Sequence, residues 1–345
     1  MRLHRRTGMK ALVLGAAGFL GSNLVRALLA HGQQVRALVR PTSNTRVLDG
    51  LDTERVLGDL RDPDSLARAC AGVQVIYQAA SYYPTQTIPA NVATAQALME
   101  TQNLLTAARR AAVDRLVFTS TLTTIGFPAN GGLATEACMF KSLFPNNPYL
   151  MAKSAMEDLV LDAARIGFPV VVVNPTAFFG PYDSKPTSGT QILMIARRLM
   201  PLYMAGKANA IDVRDVAEGM VRAAERGRPG ERYILGNWNT TQKELNTLIA
   251  RVAGVMAPLA PIPFPLARYG TKVTEWAFQT VLRRPSPVPS FFVEMLPHMQ
   301  HYDCSKAIRE LDYPRSPVET AIRDEIQWFR GNGYLPSTGR SYPSG

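Results

Sequence analysis

A short apolar run, Ala11-Leu-Val-Leu14, leads without a gap into Gly15-Ala-Ala-Gly18-Phe-Leu-Gly21, and a helical pattern continues from Leu20 to Ala30. A strand that turns into a helix within so few residues needs glycine where the backbone folds back and where it approaches a neighbour. The amides at the helix start are then available to a pyrophosphate. With a strand before it and a helix after it, the G-x-x-G-x-x-G spacing reads as a dinucleotide-binding turn rather than a chance glycine triplet. Gly15, Ala17, Gly18, Phe19 and Leu20 are the candidate contacts. A tight turn with no ligand is the plainer alternative.

The same alternation continues downstream. Strand-like runs occur at Gln34 to Val39, Arg55 to Leu57, Val73 to Tyr77, Arg115 to Thr119 and Pro169 to Val173. Helical patterns at Asp64 to Ala71, Thr94 to Ala112 and Pro148 to Ile166 separate them. Strands alternating with helices predict an α/β fold, a Rossmann-type doubly wound parallel sheet, with ligands at the C-terminal strand ends. After Pro175, helical segments near Ile192 to Met200, Val213 to Arg226, Gln242 to Val252 and Val318 to Arg330 alternate with Pro- and Gly-rich stretches. The expected division is a leader over 1–8, disordered or upstream of a natural start at Met9; a nucleotide-binding domain over 9–175; and a smaller, mostly helical substrate or lid region over 176–345. One strand, Arg232 to Leu235, is expected to return to the sheet.

Composition narrows the function. Cys70, Cys138 and Cys304 are far apart and lack C-x-x-C spacing, and the four histidines are scattered, so neither a disulfide framework nor a metal site is expected. That cysteine usage fits a cytoplasmic location. The net charge of +11 is spread along the chain without a nucleic-acid motif, so no nucleic-acid partner is expected. No uncharged apolar run reaches the 18 or so residues that cross a bilayer, so stable membrane insertion is not expected. Phe264 to Leu282 mixes Tyr269, Val273, Trp276, Phe278 and Leu282 with Lys272 and Arg283. It reads first as a substrate-pocket helix and second as a membrane-surface helix.

At the end of the second strand stands Arg40, where NAD-binding proteins of this architecture place an acid for the ribose hydroxyls. An arginine fork suits a 2′-phosphate, which favours NADP(H) over NAD(H). Asp59 and Leu60 follow the third strand and Ala79-Ala80-Ser81 the fourth, an acceptor for the adenine amino group and small residues against the cofactor. Tyr149 and Lys153, four residues apart, share one face of the helix that opens at Pro148. A neighbouring ammonium is expected to draw a phenol down toward proton transfer at neutral pH, and Lys153 also to hold the nicotinamide ribose. Such a spacing also arises on any amphipathic helix face. Phe118-Thr119-Ser120-Thr121 supplies the hydroxyl that a substrate oxygen needs, with Thr121 favoured and Ser120 beside the nicotinamide. Asn174-Pro175-Thr176 ends the sixth strand beside the same crevice.

In their order, the glycine turn, Gly58-Asp59-Leu60, the hydroxyl strand, Tyr149 and Lys153, Asn174-Pro175 and Val213-Arg-Asp215-Val-Ala217 resemble the extended short-chain dehydrogenase/reductase family. The likeness runs to about Gly254 and is strongest to the dihydroflavonol-reductase-like and hopanoid-associated sugar epimerase-like branch, through Arg40-Pro-Thr-Ser43 and Lys185-Pro-Thr187. The resemblance implies an NAD(P)-binding Rossmann domain, a variable C-terminal substrate domain, Thr121, Tyr149 and Lys153 as catalytic residues, and frequently a homodimer. Gln78 and Ala97 depart from the histidine and asparagine common in relatives. Ala208 stands where nucleotide-sugar enzymes of the family carry a diphosphate-binding arginine. Tyr82, Phe127, Phe178, Phe179, Ile192 and Met204, with Thr121, are the candidate pocket residues, Met139 and Phe140 lie in the same apolar surroundings, and most are apolar. Reversible reduction of a small, largely hydrophobic ketone or aldehyde is therefore the leading expectation. The alternatives are a sugar epimerase or dehydratase, and a non-catalytic NADP sensor.

Overall fold

The computed structural model describes residues 8–80, 88–284, 286 and 290–336. Its first half alternates as the sequence predicts: β1 (Lys10–Leu14), α1 (Phe19–Ala30), β2 (Gln34–Val39), β3 (Thr53–Leu57), α2 (Pro63–Cys70), β4 (Val75–Gln78), α3 (Ala90–Arg110), β5 (Arg115–Thr119), α4 (Pro148–Arg165) and β6 (Val170–Pro175). Then come β7 (Ala177–Phe179), α5 (Gly189–Ala196), β8 (Leu202–Met204), β9 (Lys207–Asp212), α6 (Val213–Arg226), β10 (Arg232–Leu235), β11 (Trp238–Thr241), α7 (Gln242–Ala253), β12 (Ala260–Ile262), α8 (Phe264–Thr280), α9 (Ser290–Met295), α10 (Ser305–Leu311) and α11 (Val318–Gly331).

The main sheet is parallel throughout, in the order β10-β6-β5-β4-β1-β2-β3. The inner strands β1, β4, β5 and β6 are largely apolar because both faces are covered, whereas edge strand β3 is mostly exposed. Ala11 and Val13 of β1 pack into the core under α1 and α6, while Leu12 and Leu14 pack into the core under α3 and α4. Strand order reverses between β1 and β4, so a crevice opens beyond their C-terminal ends.

Arg232–Leu235 returns to the sheet as β10, paired with β6. Helix α6 joins it there: Val213, Val216, Ala217, Met220 and Val221 pack in the same core as α1. The nucleotide-binding layer thus takes a helix as well as a strand from beyond residue 176, because that apolar stripe needs a sheet face to cover. The remainder is not purely helical. Strands β7, β9 and β11 form one small sheet and β8 and β12 another, each strand too short to announce itself by alternation. Phe179, Ile192, Ile249, Ile322 and Phe329 fill the core between them and α5, α7 and α11.

Two buried carboxyls tie this half together. Asp183 accepts from the amides of Thr187 (3.0 Å) and Gly189 (3.3 Å), and Glu325 on α11 from the amide of Gly180 (2.8 Å). A Cβ on Gly189 would overlap both carboxyls, so only glycine fits between them. Among the described residues, Asp183 Oδ1 and Glu325 Oε1 have no hydrogen-bond partner. Burial pushes Asp183 up to about 7, and burial and the neighbouring Asp183 hold Glu325 well above the usual range. The other charged groups nearby, Asp212 and Asp324, are paired with Arg214. A carboxyl that binds its proton more tightly when folded contributes stability that is complete below its unfolded pKa, near 4, and is lost as pH rises through about 7. Asp183→Asn keeps an oxygen for both amides and removes the charge. It should flatten the fall in Tm over that window and raise Tm by a few degrees at mildly alkaline pH, as read by calorimetry.

Candidate active site

The glycine turn closes against the far side of the crevice. Gly15 has φ +78°, and a Cβ there would lie 2.7 Å from the Ala80 nitrogen, so the β1–α1 turn and the end of β4 meet backbone to backbone. Gly18 caps α1 without a side chain, its own amide donating to the Gly15 carbonyl (2.9 Å). A Cβ on Gly21 would strike the Gly15 carbonyl. The outcome is a tight backbone turn with no space for a side chain at residues 15 and 21. Asn23 fixes its rear by donating to Phe19 O and to Pro181 O, both at 3.0 Å.

On the other side of β1, the Arg40 side chain is exposed at the end of β2, and Ser43 Oγ accepts from the Arg40 amide (3.3 Å). Asp59, the candidate acceptor for the adenine amino group, is engaged within the chain. It pairs through both oxygens with Arg61 (3.0 and 2.9 Å), and that contact, aided by Arg40, draws its carboxyl down to about 2. The Leu60 carbonyl accepts from Asn103 (3.0 Å). Two guanidinium groups therefore flank this end of the crevice, of which sequence reading singled out one.

The proton-transfer candidates come together. Asn147 caps α4, accepting from the amides of Tyr149 and Leu150 at 3.1 Å, and Pro148 occupies the first turn. Tyr149 and Lys153 are buried, with the Lys153 ammonium 6.0 Å from the Tyr149 ring centre. Burial raises the Tyr149 phenol above its ordinary range, and the nearby Thr121 hydroxyl opposes the rise. The expected depression by Lys153 is thus not what these side chains produce by themselves. Burial has drawn the lysine down to about 8, with Glu157 resisting. In a dry site both charged forms are disfavoured.

Glu157 was not singled out from the sequence, yet it organises the site. It lies one turn beyond Lys153 and accepts from Thr124 Oγ1 (2.7 Å), Asn174 Nδ2 (2.7 Å) and Arg232 Nη1 (2.9 Å). Asn174 also reaches Thr124 Oγ1 (3.0 Å) and the Thr121 carbonyl (3.2 Å), and Ser120 Oγ lies 3.2 Å from Thr124 Oγ1. Arg232 continues to the carbonyls of Glu136 and Cys138. The Asn174 side chain is therefore committed to this network. Thr119 turns the other way, toward Met220 on α6, so only its backbone faces the crevice. Ser120, Pro175 and Thr176 sit at the strand ends; Ser120 donates its amide to Val173 (2.8 Å) and Thr176 to Leu235 (3.0 Å).

The expected pocket residues divide. Phe178 packs at 5.3 Å from Phe19, and Met204 lies half-buried on β8. Phe127 is partly exposed beside His298. Phe179 and Ile192 are fully buried in the C-terminal core and do not line a cleft. They serve packing because their strand and helix are sandwiched. Tyr82 and Ser81 fall outside the described residues. The apolar wall beside Tyr149 consists of Phe291, whose ring stacks at 6.4 Å, with Phe140 and Met295. Of these, only Phe140 was noticed in the sequence. The other two come from a segment whose position only folding reveals.

Residues 11–236 match the family model described as the NAD dependent epimerase/dehydratase family. The chain belongs to that family. A protein of Synechocystis sp. named for dihydroflavonol 4-reductase is 37% identical, over 94% of this chain and 95% of its own length. The 4-hydroxy-2-methyl-3-oxo-4-farnesyl-3,4-dihydroquinoline-1-oxide ketoreductase of Stigmatella aurantiaca is 31% identical, over 88% of this chain and 92% of its own. Among solved structures, a nucleoside-diphosphate-sugar epimerase from Pseudomonas aeruginosa superposes with a TM-score of 0.80 at 29% identity, covering 95% of this chain and 99% of its own. Family members thus include both reductases and epimerases.

The Glu157–Arg232 pair gives this site a test. Glu157→Gln should lower stability by about 3 kcal/mol, because the half-buried Arg232 loses its ion-pair partner. It should also move the alkaline limb of kcat/KM, attributed to Lys153, down by about one pH unit. Replacing Arg232 by Gln as well should recover part of the stability and leave the pH limb displaced.

Proposed function

We propose that this protein is an NADP(H)-dependent reductase of small, largely hydrophobic ketones or aldehydes, working reversibly. The observation that carries the reading is the buried Tyr149 phenol, near the Thr121 hydroxyl and walled by Phe291, Phe140 and Met295. A proton donor and an orienting hydroxyl beside an apolar surface suit a carbonyl on an apolar substrate.

The residues present fit a dinucleotide. The Gly15/Ala80 approach leaves room for backbone alone, which suits a pyrophosphate. The exposed Arg40, with Arg61 near it on Asp59, offers paired donors to a 2′-phosphate. Gly15, Ala17, Gly18, Phe19 and Leu20 would hold the pyrophosphate, and Asp59, Leu60, Ala79 and Ala80 would border the adenosine half. Ser120, Lys153 and the Asn174-Pro175-Thr176 strand end would border the nicotinamide half. When bound, the nicotinamide supplies the hydride.

For the chain itself, Thr121 orients the carbonyl oxygen, and Tyr149 delivers the proton from its phenol to that oxygen. Lys153 makes the phenol a better donor by offsetting the charge left on it, and the Glu157 network keeps Lys153 in place. Aromatic side chains around Tyr149 exclude water, so the proton goes to substrate rather than to solvent. Ala208 is buried in the core of β9. With no cation at that position, the site lacks the feature that favours a nucleotide diphosphate, which supports reduction over epimerisation.

A panel of apolar carbonyl compounds tested with NADPH and NADH should show stoichiometric oxidation of NADPH. Turnover of a sugar nucleotide with no net cofactor consumption would assign the epimerase chemistry instead. Tyr149→Phe should lower kcat by about 10²- to 10⁴-fold with cofactor affinity nearly unchanged, and unaltered turnover would overturn the assignment. Arg40→Ser should lower kcat/KM with NADPH by about tenfold or more and leave NADH almost unaffected. Equal losses with both cofactors would place the arginine elsewhere.

A further inference from the structure

Helix α8 carries a stripe of apolar side chains on its solvent side. Ala267 and Glu275 are its buried residues, and Glu275 accepts from the Ser290 amide (3.2 Å). At about 100° per residue, Leu266, Tyr269, Val273 and Trp276 fall within an arc of roughly 80° opposite that buried face. They are 59%, 72%, 48% and 62% exposed, and Val281 and Leu282 after the helix are 69% and 53% exposed. The small β8/β12 sheet that leads into α8 adds exposed Leu202 and Leu259. An ordinary surface helix turns such residues inward, and a continuous exposed apolar stripe marks a contact surface.

Charge narrows the occupant. Between Phe264 and Arg284 the only acidic residue is Glu275, which is turned inward; Arg268 and Lys272 approach Glu294 of α9 at 3.0 and 3.9 Å, Lys272 staying exposed, and Arg283 and Arg284 are exposed. A two-fold dimer through this face would set those cations against their own copies. An anionic lipid surface would meet them with opposite charge, and a tryptophan and a tyrosine among cations are the residues that settle at a headgroup boundary. No described helix is long and apolar enough to cross a membrane, so attachment through this face is peripheral. The inner side of the same layer is the wall of the site. Phe264 lies 6.0 Å from Phe144, and α8 packs on α9, whose Phe291 stacks on Tyr149.

We propose that the outer face of α8 docks in the headgroup region of an anionic bilayer, with Leu266, Tyr269, Val273 and Trp276 entering the acyl boundary and Lys272, Arg283 and Arg284 on the lipid phosphates. The layer beside Tyr149 then rests on the membrane. An apolar substrate would reach it from lipid rather than from water, a consequence that rests on the reductase reading; the docking itself does not.

Full-length protein is sedimented with vesicles of phosphatidylcholine alone and of phosphatidylcholine containing about one third phosphatidylglycerol. It should bind the anionic vesicles more tightly, and added salt should weaken that binding. Trp276→Ser should lower partitioning roughly tenfold on the anionic vesicles. Lys272→Ser and Arg283→Ser should each lower it about fivefold on anionic vesicles and leave binding to phosphatidylcholine unchanged. Unaltered circular dichroism and melting show that the variants fold. Failure to bind anionic vesicles, or binding indifferent to both kinds of substitution, overturns the proposal. So does a dimer in solution that Trp276→Ser dissociates, which gives the face to a second copy. The assay contains neither cofactor nor carbonyl compound, so its failure is distinct from failure of the reductase reading.

Discussion

The ion pair between the buried Glu157 and the half-buried Arg232 holds together parts of the chain that are remote in sequence. Arg232 enters from β10, an edge strand, and Glu157 from α4. Isolated in the interior, either charge would be costly; paired and further hydrogen-bonded to Thr124, Asn174 and the Glu136 and Cys138 carbonyls, they fix one arrangement. The segment that receives Arg232 also protects the sheet, because Glu136 accepts from the Ile234 amide (2.9 Å) on the otherwise open side of β10. One cluster thus closes the sheet edge, sets the turn after β5 that carries Thr121, and places a carboxylate one turn beneath Lys153.

That placement governs the electrostatics of the site. Tyr149 and Lys153 both lie where charge is poorly solvated, and burial is the largest influence on each. The local opposing influences come from different places: a hydroxyl for the phenol and a carboxylate for the ammonium. The surroundings of Tyr149 and Lys153 therefore depend on groups brought by β5, α4, β6 and β10 together, which a Tyr-x-x-x-Lys spacing alone does not supply.

The C-terminal half serves the site from the outside. Asn147 joins the start of α4 to α9 by donating to the Phe291 carbonyl (3.0 Å), so the aromatic wall and the helix that carries Tyr149 share one anchor. Arg268 on α8 pairs with Glu294 on α9 at 3.0 Å, fastening the outer helix to the same wall. An apolar, cationic exterior and an apolar interior are thus the two sides of one thin layer.

Much of this was legible in the chain. The glycine turn after an apolar strand, with repeated strand-helix alternation, determined the parallel sheet, because local backbone geometry and continuous apolar runs are properties of neighbouring residues. Tyr149 and Lys153 were legible as a pair for the same reason, and the i+4 spacing from Lys153 to Glu157 was available as a signal. What the tertiary structure alone decided was which side chains face one another across long separations. Arg232 meets Glu157, Phe291 meets Tyr149, and Arg61 takes Asp59. Phe179 and Ile192 turn to the core, and the apolar side of α8 turns to solvent. Apolar residues look alike in sequence whether they fill a core, line a pocket or face outward. Only packing distinguishes them, because burial depends on the neighbours that folding supplies.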